Sequence, residues 1–123
     1  MATVLVVDDN RDLRNILVEF LRHKGYQVHD AGSGDAAIKL LDSTPVDAVI
    51  ADLYLPGDVT GIEVLLHHKK RVPTGCRILF TGALSDTLRS VCQYSDVAYL
   101  QKPVRLDQLI RTIESSLTPA QEP

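Results

Sequence analysis

Residues 3–10 read Thr3-Val4-Leu5-Val6-Val7-Asp8-Asp9-Asn10, an apolar run halted by two carboxylates and an amide. A short run of Val and Leu with no alternating polar residues is the pattern of a strand covered on both faces. Just beyond it, Leu13, Ile16, Leu17, Phe20 and Leu21 recur at the i, i+3, i+4, i+7, i+8 spacing of one buried helix face. Gly25 follows, suited to the left-handed residue that closes such a helix. Strand, acids, helix and stop form one β–α unit, and the rest of the chain repeats the plan. Apolar runs at 26–29, 46–51, 77–80 and 97–100 mark four more strands. Between and after them lie helical stripes: Ala36, Ala37, Leu40 and Leu41; Val64 and Leu65; Leu84, Leu88 and Val91; Leu106, Leu109, Ile110, Ile113 and Leu117. Ser33 and Ser85 stand where N-caps belong, and Pro45 and Pro73 fall where a helix has already ended. Five strands alternating with five helices predict an α/β fold. Right-handed crossovers would place the helices on both faces of a doubly wound, five-stranded parallel sheet.

Composition narrows the function. With 123 residues the chain suits one domain. Its net charge of −3, with 24% charged and 45% hydrophobic residues, is that of an ordinary folded domain. No basic stripe suggests direct nucleic-acid binding, and no apolar run reaches the ~20 residues of a membrane span. Cys76 and Cys92, with neither a CxxC pair nor zinc spacing, read as free thiols in a reducing cytoplasm. Residues 118–123 have linker composition.

Ligands in an open α/β sheet bind beyond the carboxyl ends of the strands. There the sequence places Asp8, Asp9 and Asn10 after the first strand, Asp52 ending the third, Thr81 and Gly82 after the fourth, and Lys102 and Pro103 after the fifth. Asp9 or Asn10 alone reads equally well as a helix N-cap. Asp52 is different, because it interrupts an apolar stretch and an unpartnered buried carboxylate costs several kcal/mol. Three carboxylates ~5 Å apart repel by about 3 kcal/mol per pair at an effective dielectric of ~20. Such a site keeps a proton or holds a cation. Lys102 cancels one charge, and a divalent cation would cancel the rest. An all-oxygen donor set points to Mg²⁺ rather than zinc. A carboxylate beside Mg²⁺ and a lysine is also the composition needed to accept a phosphoryl group.

Four motifs then carry a resemblance: Val6-Val7-Asp8-Asp9-Asn10, Ile50-Ala51-Asp52-Leu53-Tyr54-Leu55-Pro56-Gly57, Phe80-Thr81-Gly82-Ala83 and Tyr99-Leu100-Gln101-Lys102-Pro103. In this order and spacing the chain resembles the receiver domains of two-component response regulators, of the chemotaxis-regulator type. The resemblance implies a flavodoxin-like strand order 2-1-3-4-5, with a receiver domain over 1–117 and a tail or linker start at 118–123. It implies Asp52 as phosphoacceptor, supplied by a histidine kinase or histidine phosphotransfer protein. Mg²⁺ would be held by Asp8, Asp9, Asp52 and the backbone carbonyl of Tyr54. Thr81 and Lys102 would bind the phosphoryl oxygens, Lys102–Pro103 would be a cis-proline bond at Pro103, and Thr81 with Tyr99 would form a switch. Partners would be a downstream protein target or a missing output domain, with a homodimer as a further arrangement. The location would be cytoplasmic.

Several residues depart from that pattern. The loop from Pro56 to Gly61 is one residue longer, and Thr60 stands where the family often has Asp. Tyr54 is bulky two positions beyond Asp52, and Ala83 is small two beyond Thr81. Asp-nucleophile phosphatases carry a second Asp, as general acid, at the position Tyr54 occupies, which argues against an enzyme. The intact acids, threonine and lysine argue against a pseudo-receiver, and no glycine-rich phosphate loop follows the first strand. His67, His68, Lys69, Lys70 and Arg71 read as a solvated helix end favoured by the helix dipole. Cys92 reads as packing and Tyr26 as part of an edge strand.

Overall fold

The computed structural model describes residues 2–117. Its elements are β1 (Thr3–Val7), α1 (Arg11–His23), β2 (Gln27–Ala31), α2 (Gly34–Ser43), β3 (Ala48–Asp52), α3 (Gly61–Arg71), β4 (Cys76–Thr81), α4 (Asp86–Tyr94), β5 (Ala98–Gln101) and α5 (Leu106–Leu117). All neighbouring strands pair in parallel, in the order β2-β1-β3-β4-β5. The expected doubly wound flavodoxin-like sheet is the one that forms. The tail expected at 118–123 lies outside the described residues.

Alternation along the strands builds two cores. Val4, Val6, Ile50, Ile78 and Phe80 face one way and meet Leu17 and Leu21 of α1 and Leu109 and Ile113 of α5. Leu5, Val7, Val49, Ala51 and Leu79 face the other way, against Ala37 and Leu41 of α2, Val64 and Leu65 of α3 and Cys92 of α4. With both faces covered, β3 and β4 are buried along their whole length, as their apolar sequences require. Side-chain caps fix the helix starts: Asn10, Ser33, Thr60 and Ser85 accept from the amides of Leu13, Ala36, Glu63 and Leu88. Thr60 and Glu63 form a reciprocal capping box, so the departure at Thr60 serves the start of α3. Gly25 has φ +99, the left-handed close expected for α1.

Local details differ from the reading of the sequence. Ile16 is 54% exposed while Val18 is buried, because the buried face of α1 is rotated toward Leu17 and Leu21. Tyr26 precedes β2: its N–H donates to the Leu21 carbonyl in the turn after α1, and its side chain packs on the first core. Val46 precedes β3, and Leu84 precedes the Ser85 cap of α4.

Candidate functional site

The parallel register brings the carboxyl ends of β1, β3, β4 and β5 to one rim. Asp8 directly follows β1 and is buried, its backbone N–H donating to the Ala31 carbonyl of β2 at 3.1 Å. Asp52 is the last residue of β3 and also buried. Asp9 is exposed. Carboxylate oxygens of Asp8, Asp9 and Asp52 lie within 4.8 Å of one another. The Lys102 Nζ bridges two of these acids, donating to Asp52 Oδ2 at 3.1 Å and to Asp8 Oδ2 at 3.3 Å. Their other oxygens accept backbone amides, Asp8 Oδ1 from Asn10 at 2.8 Å and Asp52 Oδ1 from Tyr54 at 3.4 Å.

Burial alone would pull the Lys102 ammonium below its ordinary pKa. The hydrogen bond and charge of Asp52, backed by Asp8, outweigh it and hold the pKa above that value. Lys102 is therefore charged at neutral pH, and one cation faces three carboxylates. The Lys102 backbone N–H donates to the Thr81 carbonyl at 2.8 Å, which ties the β5 loop to the end of β4, and the Lys102–Pro103 peptide bond is cis. Thr81 is fully buried, its hydroxyl donating to the Ala83 carbonyl at 2.9 Å. Tyr99 is half-buried on β5 and packs on the second core, while its hydroxyl accepts from Arg89 of α4 at 3.0 Å. Tyr54 is 76% exposed and, with Leu53, Ala83, Leu84 and Leu88, borders a groove of about 500 Å³ beside the acids.

Two residues that support the site escaped the sequence reading. Gly61 opens α3 with its Cα against the end of β3, and a Cβ there would overlap the carbonyl of Asp52. Arg14 of α1 donates from Nη1 to the Asp8 carbonyl at 2.7 Å. A glycine at a helix start was a visible signal; nothing local distinguished Arg14 from any exposed helix arginine. The basic run ending α3 is also less solvated than expected. His68 is 1% exposed, Lys69 donates to the Ser95 carbonyl, and His67 and Arg71 both bond Asp42 of α2.

A sequence model of the response regulator receiver domain matches residues 4–114. The chain belongs to that family. Receiver domains are signalling domains of two-component systems. This receiver domain is 34% identical over 112 residues to a putative NtrX-like response regulator of Rickettsia bellii, an alignment covering 89% of the chain and 23% of that protein. The chain thus spans about a quarter of the curated Rickettsia relatives it matches. A CheY-like receiver domain protein of Methanospirillum hungatei superposes with a TM-score of 0.90 at 24% identity, covering 98% of this chain and 97% of that one. The response regulator TrrA of Thermotoga maritima, solved in complex with Mg²⁺-BeF, superposes at 0.81 with 31% identity, covering 95% and 100%. Among the described residues no helix is long and apolar enough to cross a membrane.

Proposed function

We propose that this receiver domain accepts a phosphoryl group on Asp52 from a histidine kinase or histidine phosphotransfer protein. The observation that carries the reading is the Lys102 ammonium shared between buried Asp8 and Asp52, beside exposed Asp9. One cation leaves the three acids short of neutrality, in a position where charge is costly to leave unbalanced. Their all-oxygen donor set fits Mg²⁺, with Asp8, Asp9, Asp52 and the Tyr54 carbonyl as the residues that would hold it. Bound there, the ion would neutralise phosphoryl oxygens. A carboxylate oxygen of Asp52 attacks phosphorus, the phosphorus–oxygen bond forms and the phosphorus–nitrogen bond to the donor histidine breaks, its electron pair staying on the imidazole. Lys102 would turn one of its donors to the new phosphoryl oxygens, and the Thr81 hydroxyl would exchange Ala83 for another. The movement of Thr81 would bias Tyr99 and the α4–β5–α5 surface toward a downstream target, an output domain or a second copy. The module would act in the cytoplasm as a switch, not an enzyme, since Tyr54 stands where Asp-nucleophile phosphatases carry their second Asp.

The exposed Tyr54, two residues beyond Asp52, borders one groove with the small Ala83, and we assign Tyr54 the role of shielding the acyl phosphate from water. Intact-mass spectrometry after incubation with acetyl phosphate tests the central reading. Labelling is expected with Mg²⁺, not with excess chelator, and not in Asp52→Asn; labelling of that variant at wild-type level would refute it.

A further inference from the structure

We infer that Arg14 is a positioning residue for the acidic loop, setting how strongly Asp8 and Asp9 hold a divalent cation. The inference rests on the metal-binding reading above. The Asp8 backbone is gripped from both sides. Its N–H donates to Ala31 of β2 at 3.1 Å, and its carbonyl accepts from Arg14 Nη1 at 2.7 Å. That carbonyl belongs to the peptide plane joining Asp8 to Asp9, so the guanidinium fixes how the two acids are presented relative to each other.

Arg14 is itself immobilised. Its Nε donates to Asp30 Oδ2 of β2 at 2.8 Å, its side chain is 18% exposed, and the planar fork spans both acceptors at once. Gly32 leaves it room, because a Cβ there would stand 3.2 Å from Nη1. A strap thus runs from β2 through α1 to the peptide between two of the candidate ligands. Removing a group that orients a metal ligand typically weakens metal binding by about 10- to 100-fold.

The sign of the effect separates positioning from simple charge. A nearby guanidinium repels a cation, so neutralising it should tighten Mg²⁺ binding if Coulomb forces alone acted. Loss of the strap should weaken it. The test is calorimetric titration of Mg²⁺ into the full chain and into Arg14→Gln, Arg14→Lys and Asp30→Asn, each shown folded by circular dichroism. Arg14→Gln is expected to raise the Kd roughly 10-fold and Arg14→Lys, which reaches only one acceptor, roughly 3-fold. Asp30→Asn keeps an oxygen for Nε and is expected to stay within about 2-fold of wild type. A Kd for Arg14→Gln equal to or below wild type overturns the inference. A second readout needs no metal: the Asn10 amide, which donates to Asp8 Oδ1, is expected to exchange with solvent faster in Arg14→Gln, and unchanged exchange also overturns the inference. Wild-type protein that takes up no Mg²⁺ would defeat the metal reading, and the Asn10 exchange would still decide whether the strap exists.

Discussion

Charge is buried at both ends of this sheet, and the two ends treat it differently. At the carboxyl rim, Asp8 and Asp52 share Lys102 while Asp9 stands exposed beside them. At the amino end, Arg77 of β4 lies buried against His68 of α3. Its Nη1 and Nη2 donate to the carbonyls of Val72 and Pro73 at 2.8 and 2.9 Å. His68 uses both ring nitrogens: Nε2 lies 2.7 Å from the Val46 carbonyl and Nδ1 3.2 Å from Arg77 Nη1. A carbonyl can only accept and a guanidinium can only donate, so the imidazole is the neutral Nε2–H tautomer. Its pKa is lowered by burial, only partly offset by the bond to Val46, with the charge of Arg77 adding to the drop. At the amino end backbone carbonyls face the cation through Nη1 and Nη2, while the buried Nε of Arg77 has no partner among the described residues. The carboxyl rim is open, with acidic oxygens in excess of their donors. The open end carries the clustered acidic oxygens that a hard cation would bind.

Substitutions at the two ends should therefore separate stability from phosphorylation. The largest stability loss is expected for Gly61→Ala, which forces a Cβ into the Asp52 carbonyl. It should cost about 3 kcal/mol and also slow labelling, and denaturant unfolding beside mass spectrometry would detect both. Next comes His68→Leu, which strands the Val46 carbonyl and should cost about 2 kcal/mol while leaving acetyl phosphate labelling intact. The same histidine sets a pH dependence. Its folded pKa lies below its unfolded value near 6.5, so the unfolded chain binds more protons below that pH and stability falls as pH drops through it. In His68→Leu that slope should be shallower, as unfolding midpoints between pH 5 and 7.5 would reveal. Loss of labelling in His68→Leu would show that the two ends are coupled. The smallest effect is expected at the edge of the open rim. Tyr54→Asn should speed dephosphorylation a few-fold, roughly 1 kcal/mol on the barrier, measured by the decay of the mass-shifted species; slower decay would remove the shielding role.

The sequence carried the architecture because its signals are periodic and local. The apolar run of β1 was placed at its observed bounds, and the caps at Ser33 and Ser85 stood where expected. The residues at the carboxyl rim were legible because parallel strands all end on one side, so chain position alone brings Asp8, Asp52, Thr81 and Lys102 together. Elsewhere the local signal misled. His68 sits in a basic run that reads as solvated, and only the packing of α3 on β4 buries it against Arg77. Ile16 fits the apolar stripe of α1, yet the rotation of that helix leaves it outside.

Periodicity and charge order along the chain were enough to determine the layered sheet, its two cores and the rim where acids and lysine meet. The tertiary structure alone decided which of those charges are shared, which are closed off by carbonyls, and that Arg14 of α1 grips the peptide between Asp8 and Asp9. Hydrogen bonds of that kind join segments far apart in the chain, and their partners are chosen by strand register and helix rotation, which no single stretch of sequence encodes.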